Sequence, residues 1–401
     1  MKILHITYEP PAFPGGTGGQ TRQYGLLKHL SKNHEIHAIC RLLKSNHKVP
    51  LTEEFFSSIS MPPKNYFTNI LNLLFRYRHL TYPKFARTLE GIGHSMMPII
   101  KREIDKGNYD LMNIEHTSAA HWLTNLKLSI PTVIVAHNVK TIMWKRYYEN
   151  HSGFKRRQFF REYRKFEKYE STYLKYYNCI IAMSDTDRQY LKSLCPESKC
   201  IEVVPNGVDL DYFSPSPNNK TESFSLLFSG TMGYLPNEEA MIYFCRHIFP
   251  KVLQKFPNVK LTIVGRAPSR SIDKLGKQHN IRVTGFVPDS RPYFEKAEVF
   301  IVPLLSGSGT RLKILEAMAM GKAIVSTSIG AEGIEYTHGE NIVIANDAEQ
   351  FAESILILFQ NRDYRKKLEE SAKLLVAEKY SWNIMAKKLE KIYMDLIERE
   401  R

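Results

Sequence analysis

Short apolar runs, each followed by a longer amphipathic stretch, recur along this 401-residue chain in two successive series. The first series opens with KILHITY, passes through a glycine-rich loop into QTRQYGLLKHLSKNH, and arrives at EIHAICRL. YDLMNIE (109–115), PTVIVAHN (131–138) and NCIIAMS (178–184) continue it, with helical stretches between. A strand–loop–helix–strand unit of this kind begins a parallel, doubly wound α/β sheet. Around residue 205 the texture changes: VVPNGVDLDYFSPSPNNKTES gathers proline, asparagine, glycine and serine, the composition of a domain junction. The alternation then restarts. FSLLFSG and VKLTIVG flank the helical NEEAMIYFCRHIFPKVLQKF, and IRVTGFV, AEVFIVP, AIVST and NIVIA follow.

Two successive α/β domains are therefore expected, 1–205 and 206–382, and the length agrees, since one ordinary core does not accommodate 401 residues. The tail is helical and charged, with a break at EKYSW (378–382). In paired parallel domains, ligands bind at the carboxyl ends of the strands.

A net charge of +15 calls for an anionic partner: nucleic acid, anionic lipid headgroups or a phosphorylated substrate. The five scattered cysteines read as reduced thiols, because no second pair with zinc spacing accompanies Cys195 and Cys200. No stretch reaches the roughly 18–20 apolar residues that span a bilayer. The opening MKILHITYEPP reads as a first strand and its turn rather than a signal peptide. The expectation is a cytoplasmic protein, compatible with a peripheral place on the inner face of the cell membrane.

One stretch concentrates chemistry. In GSGTRLKILEAMAMGKAIVS (307–326), SGSGT joins the strand VFIVPLL to a helix that opens at RLKILEAMAM. Backbone N–H groups at such a loop and helix start hold phosphate, and the helix dipole assists. Arg311 and Lys313 place two cations where a helix N-terminus disfavours them, so a bound anion is implied. Glu316, one turn further in, can accept hydrogen bonds from a diol such as ribose. The plainer alternative is that Gly307 and Gly309 turn the chain while the charges are solvated.

PLLSGSGTRLKILEAMAMGKAIVSTSIGAEGI resembles the donor-site signature of family 4 retaining glycosyltransferases, and VVPNGVDLDYF, LTIVGRAP, VTGFVPDSRPYFEKAEVFIVPL and KYSW follow that family's order and spacing. The nearest resemblance is to a bacterial branch that builds polysaccharides and other glycoconjugates. It implies the GT-B fold, two Rossmann-like parallel-sheet domains facing a cleft, with a last helix, 383–401, crossing back to the amino-terminal domain. It also implies a nucleotide diphosphate-sugar donor, a glycan or lipid-linked glycan acceptor, no metal, no nucleic acid partner, and retention without a protein nucleophile.

The resemblance places the donor residues. The family's Glu–seven residues–Glu motif ends on Glu316, which would bind the ribose; its first glutamate is here Ser308, so sugar contacts would come from Ser308, Gly309, Thr310 and the loop backbone. The family's arginine–lysine pair is missing from FSGTMGYLPNEEA, where Gly230 lies, so Arg311 and Lys313, with Arg266, would neutralise the diphosphate. The base would lie against Phe286 and Val287. Gly18 and Gly19 would let the backbone approach the diphosphate and acceptor, although a structural turn explains them as well. PGGTGGQTR lacks the lysine and Ser/Thr of a nucleotide-triphosphate loop.

His137, at the carboxyl end of PTVIVAHN, would face the donor sugar near the reacting carbon, with Asn138 beside it for the acceptor. A related branch continues His-Asn-Val-Glu; Lys140 stands at that glutamate here. Asp185–Asp187 and Asp209–Asp211 imitate a metal motif but read as structural. Two basic aromatic stretches, 65–87 and 140–178, suit an anionic membrane or nucleic acid, or an amphipathic helix whose aromatics are core.

Overall fold

Both series of apolar runs form parallel sheets. The structure, a computed structural model, describes residues 1–40, 53–60, 82–124, 126, 128–217 and 220–400. The chain divides into two units, Met1–Pro205 with Met385–Arg401, and Asn206–Ile384.

In the first unit, β1 (Lys2–Thr7), β2 (Glu35–Cys40), β3 (Ser58–Ser60), β4 (Leu111–Glu115), β5 (Thr132–Ala136), β6 (Cys179–Ala182) and β7 (Ile201–Val203) pair in the order β3-β2-β1-β4-β5-β6-β7. Every pairing in this sheet is parallel. One face carries Leu4, Ile6, Met112, Ile114, Ile134 and Ile180 into an apolar core, where Met96 and Ile100 of the helix Lys84–Asp105 join them. Each such side chain contributes about 1.5–3 kcal/mol by leaving water. The other face is different: His5, Asn113 and Glu115 are also buried, so polar groups had to find partners there.

The sequence supports five of these strands; β3 and β7, three residues each, were too short to stand out. The reading of five reduced thiols is corrected at one pair. Cys179 opens β6, Cys200 immediately precedes β7, and register places Ile180 opposite Ile201, so the two cysteines lie side by side and form a disulfide. Cys40, Cys195 and Cys245 are free and buried.

The second unit's strands are β8 (Ser225–Ser229), β9 (Lys260–Val264), β10 (Ile281–Val283), β11 (Val299–Val302), β12 (Ala323–Ser326) and β13 (Val343–Ile344). They pair in the order β10-β9-β8-β11-β12-β13, again all parallel. The long helix expected after β8 comes in three pieces: Leu235–Tyr243, a π-helical segment Phe244–Ile248, and Phe249–Lys255. Pro250 supplies the reason, since it has no N–H to continue the ladder.

Arg362–Lys379 and Trp382–Glu400 are the two tail helices. Within the first unit, Leu389, Tyr393 and Leu396 of the last helix are buried, and Glu390 meets His34 Nε2 at 2.7 Å. The basic aromatic stretch 140–178 forms the helices Lys140–Glu149 and Gly153–Tyr173. Phe166 and Tyr169 are core, whereas Phe154 is 79% exposed. Of the other basic aromatic stretch, residues 65–81 lie outside the described residues. Among the described residues, no helix is long and apolar enough to cross a membrane.

Candidate active site

Each sheet reverses its strand order once, and the candidate residues lie at the carboxyl ends of strands, some flanking that reversal and others (His137 after β5, Arg266 after β9, Phe286 and Val287 after β10) one or two strands away from it. In the second unit the reversal lies between β8 and β11. Gly230 leaves β8 with φ +151°, a conformation that suits glycine. A Cβ on it would stand 2.7 Å from Lys313 Nζ and 2.8 Å from Asn237 Nδ2. Those two side chains close the crevice: Lys313 Nζ donates to Asn237 Oδ1 at 2.9 Å and lies 4.0 Å from the centre of the Phe228 ring. Asn237 is fixed in turn by donating to the Thr231 carbonyl at 2.9 Å.

The loop after β11 is buried from Ser306 to Thr310, and the helix Leu312–Ala319 begins directly behind it, with Arg311 as its N-cap residue. Asn206 Nδ2 donates to the Thr310 carbonyl at 2.8 Å and holds the loop from the side. Arg311 turns back on this loop, its Nη1 donating to the carbonyls of Ser308 and, at 2.9 Å, Gly309.

Burial, reinforced by the charge of Arg311, brings the Lys313 ammonium down to about 7. Burial likewise pushes the Glu316 carboxyl up to about 7, against the opposing pull of Lys313. The Glu316 backbone carbonyl accepts from the Met320 N–H at 2.9 Å, whereas its carboxylate has no hydrogen-bond partner among the described residues. Ser229 Oγ at the end of β8 and Ser306 Oγ in the loop are buried and equally unpartnered. Buried polar groups without partners are uncommon, and the two serine hydroxyls lie beside the half-buried carboxylate of Glu316 at this strand end. Of the other donor candidates, Arg266 follows β9, and Phe286, 44% exposed, and Val287 follow β10.

In the first unit the reversal lies between β1 and β4. His137 follows β5, and its Nε2 is hydrogen-bonded to Glu115, the last residue of β4. Register explains the meeting: Glu115 is opposite Val135, and His137, two residues on, points to the same face. Burial alone would raise Glu115, but the charge of His137 and the hydrogen bond to it outweigh burial and hold this carboxyl well below its usual range. Asn113 Nδ2 donates to Glu115 Oε1 at 2.9 Å and meets His5 Nδ1 at 3.1 Å; His5 Nε2 meets Gln23 Oε1 at 3.3 Å. A polar file thus runs under His137 from the helix Gly18–Leu30, and fixes which ring nitrogen faces away from Glu115.

His116, absent from the sequence-based candidates, stacks on His137 with ring centres 4.1 Å apart. It adopts φ +76°, and its Nε2 is buried without a partner among the described residues. Burial and then the neighbouring His137 charge push its pKa well below the ordinary histidine value, so it is neutral. Gly19 owes its lack of a side chain to these rings: a Cβ there would stand 3.0 Å from His116 Cε1 and 3.7 Å from His137 Cε1. Gly18 and Gly19 open their helix behind Thr17, which caps it with Gln20 in a reciprocal capping box. Asn138 shares the turn of His137. Lys140 opens the next helix and is half-buried, and desolvation lowers its pKa despite the charges of Glu170 and Glu9.

The two imitation metal motifs make local hydrogen bonds. Ser184 caps the helix Asp185–Leu194 and donates to Asp187 Oδ2 at 2.8 Å, while Asp209 Oδ1 accepts from the Tyr212 N–H at 3.1 Å. Among the described residues, no group of three or more His, Cys, Asp or Glu side chains could hold a metal ion.

Comparison with known proteins agrees with this arrangement. Residues 16–212 match the Glycosyltransferase Family 4 model and residues 223–361 match Glycosyl transferases group 1, so that most of the chain is covered. A 44.6 kDa protein of the Klebsiella pneumoniae cps region is 32% identical over 165 residues, 39% of this chain and 42% of that one. The phosphatidyl-myo-inositol mannosyltransferase of Mycolicibacterium smegmatis is 27% identical over 225 residues, 53% of this chain and 56% of that one. The chain spans about half the length of the curated relatives it matches. Sucrose-phosphate synthase from Thermosynechococcus elongatus superposes with a TM-score of 0.74 at 18% identity, covering 100% of both chains. Anabaena HepE, solved in complex with UDP and glucose, superposes with a TM-score of 0.68 at 14% identity, covering 98% of this chain and 100% of that one. These superpositions establish the fold as GT-B. Matched in both halves by glycosyltransferase families, the chain belongs to glycosyltransferase family 4.

Proposed function

We propose that this chain is a retaining hexosyltransferase, moving a hexosyl group from a nucleotide diphosphate-sugar to a glycan acceptor on a lipid carrier in polysaccharide or glycoconjugate synthesis. The observation that carries the reading is the crevice between β8 and β11, where an ammonium, a carboxyl and two unpartnered serine hydroxyls converge at a helix start. In this reading Lys313, Arg311 and the helix-start amides take the charge of the leaving diphosphate, the largest catalytic contribution in such a site, and no metal is required. Glu316 accepts from the ribose, the base lies against Phe286 and Val287, and Ser308, Gly309 and Thr310 meet the sugar. His137, its ring oriented by Glu115, would present its outward nitrogen to the sugar near the reacting carbon. Retention follows if the departing phosphate oxygen takes the acceptor's proton on the same face.

The HepE complex supports a uridine nucleotide, and the mannosyltransferase relative supports an acceptor at a lipid surface. The helix Gly153–Tyr173 supports the second point independently. Arg157, Arg161, Arg164 and Lys168 recur at helical spacing opposite buried Phe166 and Tyr169, with exposed Phe154 at the start of the row. Arg164 pairs with Glu167, while Arg157, Arg161 and Lys168 keep the exposed row basic, and an anionic membrane on the cytoplasmic side would attract it.

The test is a thermal-shift panel of UDP- and GDP-sugars with free UDP and GDP, run in EDTA, on wild type and Glu316→Ala. Selective stabilisation by one nucleotide, lost in the variant, is expected, since a ligand that binds only the folded state stabilises it by mass action. No shift with any nucleotide up to about millimolar concentration would overturn the reading.

A further inference from the structure

Glu170, on the helix Gly153–Tyr173, is fully buried yet takes no part in the hydrogen-bond file under His137. Its Oε1 accepts from Thr117 Oγ1 at 3.0 Å and from the Lys140 N–H at 3.2 Å; its Oε2 accepts from the Thr141 N–H at 3.1 Å and Thr141 Oγ1 at 2.6 Å. Thr117 is the residue after His116, and Lys140 and Thr141 begin the helix that follows His137 and Asn138. That helix has Val139 at its N-cap, with no side chain of its own to satisfy the first N–H groups. The carboxylate of Glu170 does so from another helix.

We propose that Glu170 is a positioning residue for sugar transfer: its one buried carboxylate ties the loop that carries His116 to the loop that carries His137. The proposal rests on the hexosyltransferase reading above. Three observations on the two loops converge on it. The histidine rings are stacked, so a shift of either loop separates them. His116 holds a positive-φ backbone conformation that is costly for a non-glycine residue and persists only when its surroundings enforce it; the neighbouring bond from Thr117 to Glu170 is one enforcer. The site is also made for a carboxylate in particular. Each oxygen accepts one backbone N–H, so a glutamine amide, whichever way it turned, would set its NH2 against a group that can only donate.

The test compares wild type, Glu170→Gln and Thr117→Val in the full-length protein. Thr117→Val leaves the helix-capping bonds intact and releases only the His116 loop, so it separates positioning from simple capping and also serves if Glu170→Gln fails to fold. Three measurements are made: kcat and donor KM for transfer, the thermal shift produced by the sugar nucleotide, and the imidazole nitrogen chemical shifts of His116 and His137. In both variants kcat is expected to fall by about 10- to 100-fold, the scale of a misplacement near 1 Å, with donor KM and the nucleotide shift within about twofold. The imidazole signals of both histidines should move. A folded Thr117→Val that keeps wild-type kcat and unmoved imidazole signals overturns the proposal. So does a loss of nucleotide binding in step with kcat, which would mark general damage. If wild type itself neither binds nucleotide nor transfers sugar, the hexosyltransferase reading fails, and unmoved imidazole signals in the variants would then overturn the positioning role separately.

Discussion

Donor binding should move protons, and in opposite directions on the two sides of neutrality. Lys313 and Glu316 stand one helical turn apart, and each is displaced to about 7, the lysine down from 10.5 and the glutamate up from 4.5. Burial is the first cause for both, with Arg311 adding to the displacement of Lys313. A diphosphate against Lys313 favours the ammonium, and a ribose diol on Glu316 favours the carboxylate. Above neutrality the free lysine has lost its proton, so binding must take one up. Below neutrality the free glutamate has gained one, so binding must release it. By linkage, affinity should peak near pH 7 and fall on either side. At about pH 8.5 the lysine is recharged roughly 1.5 units above its free value, which costs about 2 kcal/mol, or about 30-fold in Kd. The assay is titration calorimetry with a sugar nucleotide, whose diphosphate does not itself ionise in this range, in two buffers of different ionisation enthalpy. Lys313→Met should abolish proton uptake on the basic side, and Glu316→Gln proton release on the acid side. An affinity that stays flat from about pH 5.5 to 8.5, or identical uptake in wild type and Lys313→Met, would refute the coupling.

Two further outcomes follow from the first unit. Glu115→Gln should destabilise the fold by about 1–3 kcal/mol, because a buried charge-assisted partner of His137 is lost. Since the native Glu115 pKa is depressed, its contribution is complete above the unfolded value of 4.5 and is lost progressively as pH falls from there through the depressed native value. Urea unfolding should therefore show the gap between wild type and variant at neutral pH and a smaller gap in acid; an equal gap at both would contradict the assignment. Reversing charge on the exposed row, Arg157→Glu with Arg161→Glu, should weaken co-sedimentation with phosphatidylglycerol vesicles by roughly 10-fold or more at low salt, at about 1 kcal/mol per basic residue. Wild type that fails to sediment with such vesicles at low salt would remove the membrane proposal.

What the sequence made legible, and what it did not, divides along one physical line. A strand that ends in a glycine-rich loop and a helix declares its carboxyl end locally, so the GSGTRLKILEAM segment and His137 could be placed at strand ends from their own neighbours. Partnerships that depend on register cannot be seen that way. Glu115 looks like the last residue of an ordinary strand, and only the pairing of β4 with β5 puts it against a histidine 22 positions later. The available signal was weak: a glutamate and a histidine in succession at the carboxyl end of an otherwise apolar strand, in YDLMNIEH. Asn237 escaped for the same reason, since its meeting with Lys313 spans 76 positions and arises because β8 and β11, remote in sequence, are neighbours at the reversal of strand order. The disulfide repeats the lesson, joining two cysteines 21 residues apart that only adjacent parallel strands bring level. Arg311 shows the converse. Its charge and its place at the helix start were legible, but its turn back onto the carbonyls of Ser308 and Gly309 was not. That turn means the guanidinium already organises the loop whose amides are proposed to hold phosphate. On the proposed reading, Arg311→Met should weaken binding of the sugar nucleotide more than that of the free nucleotide, because the loop it holds carries the proposed sugar contacts; equal losses for the two ligands in calorimetry would refute this.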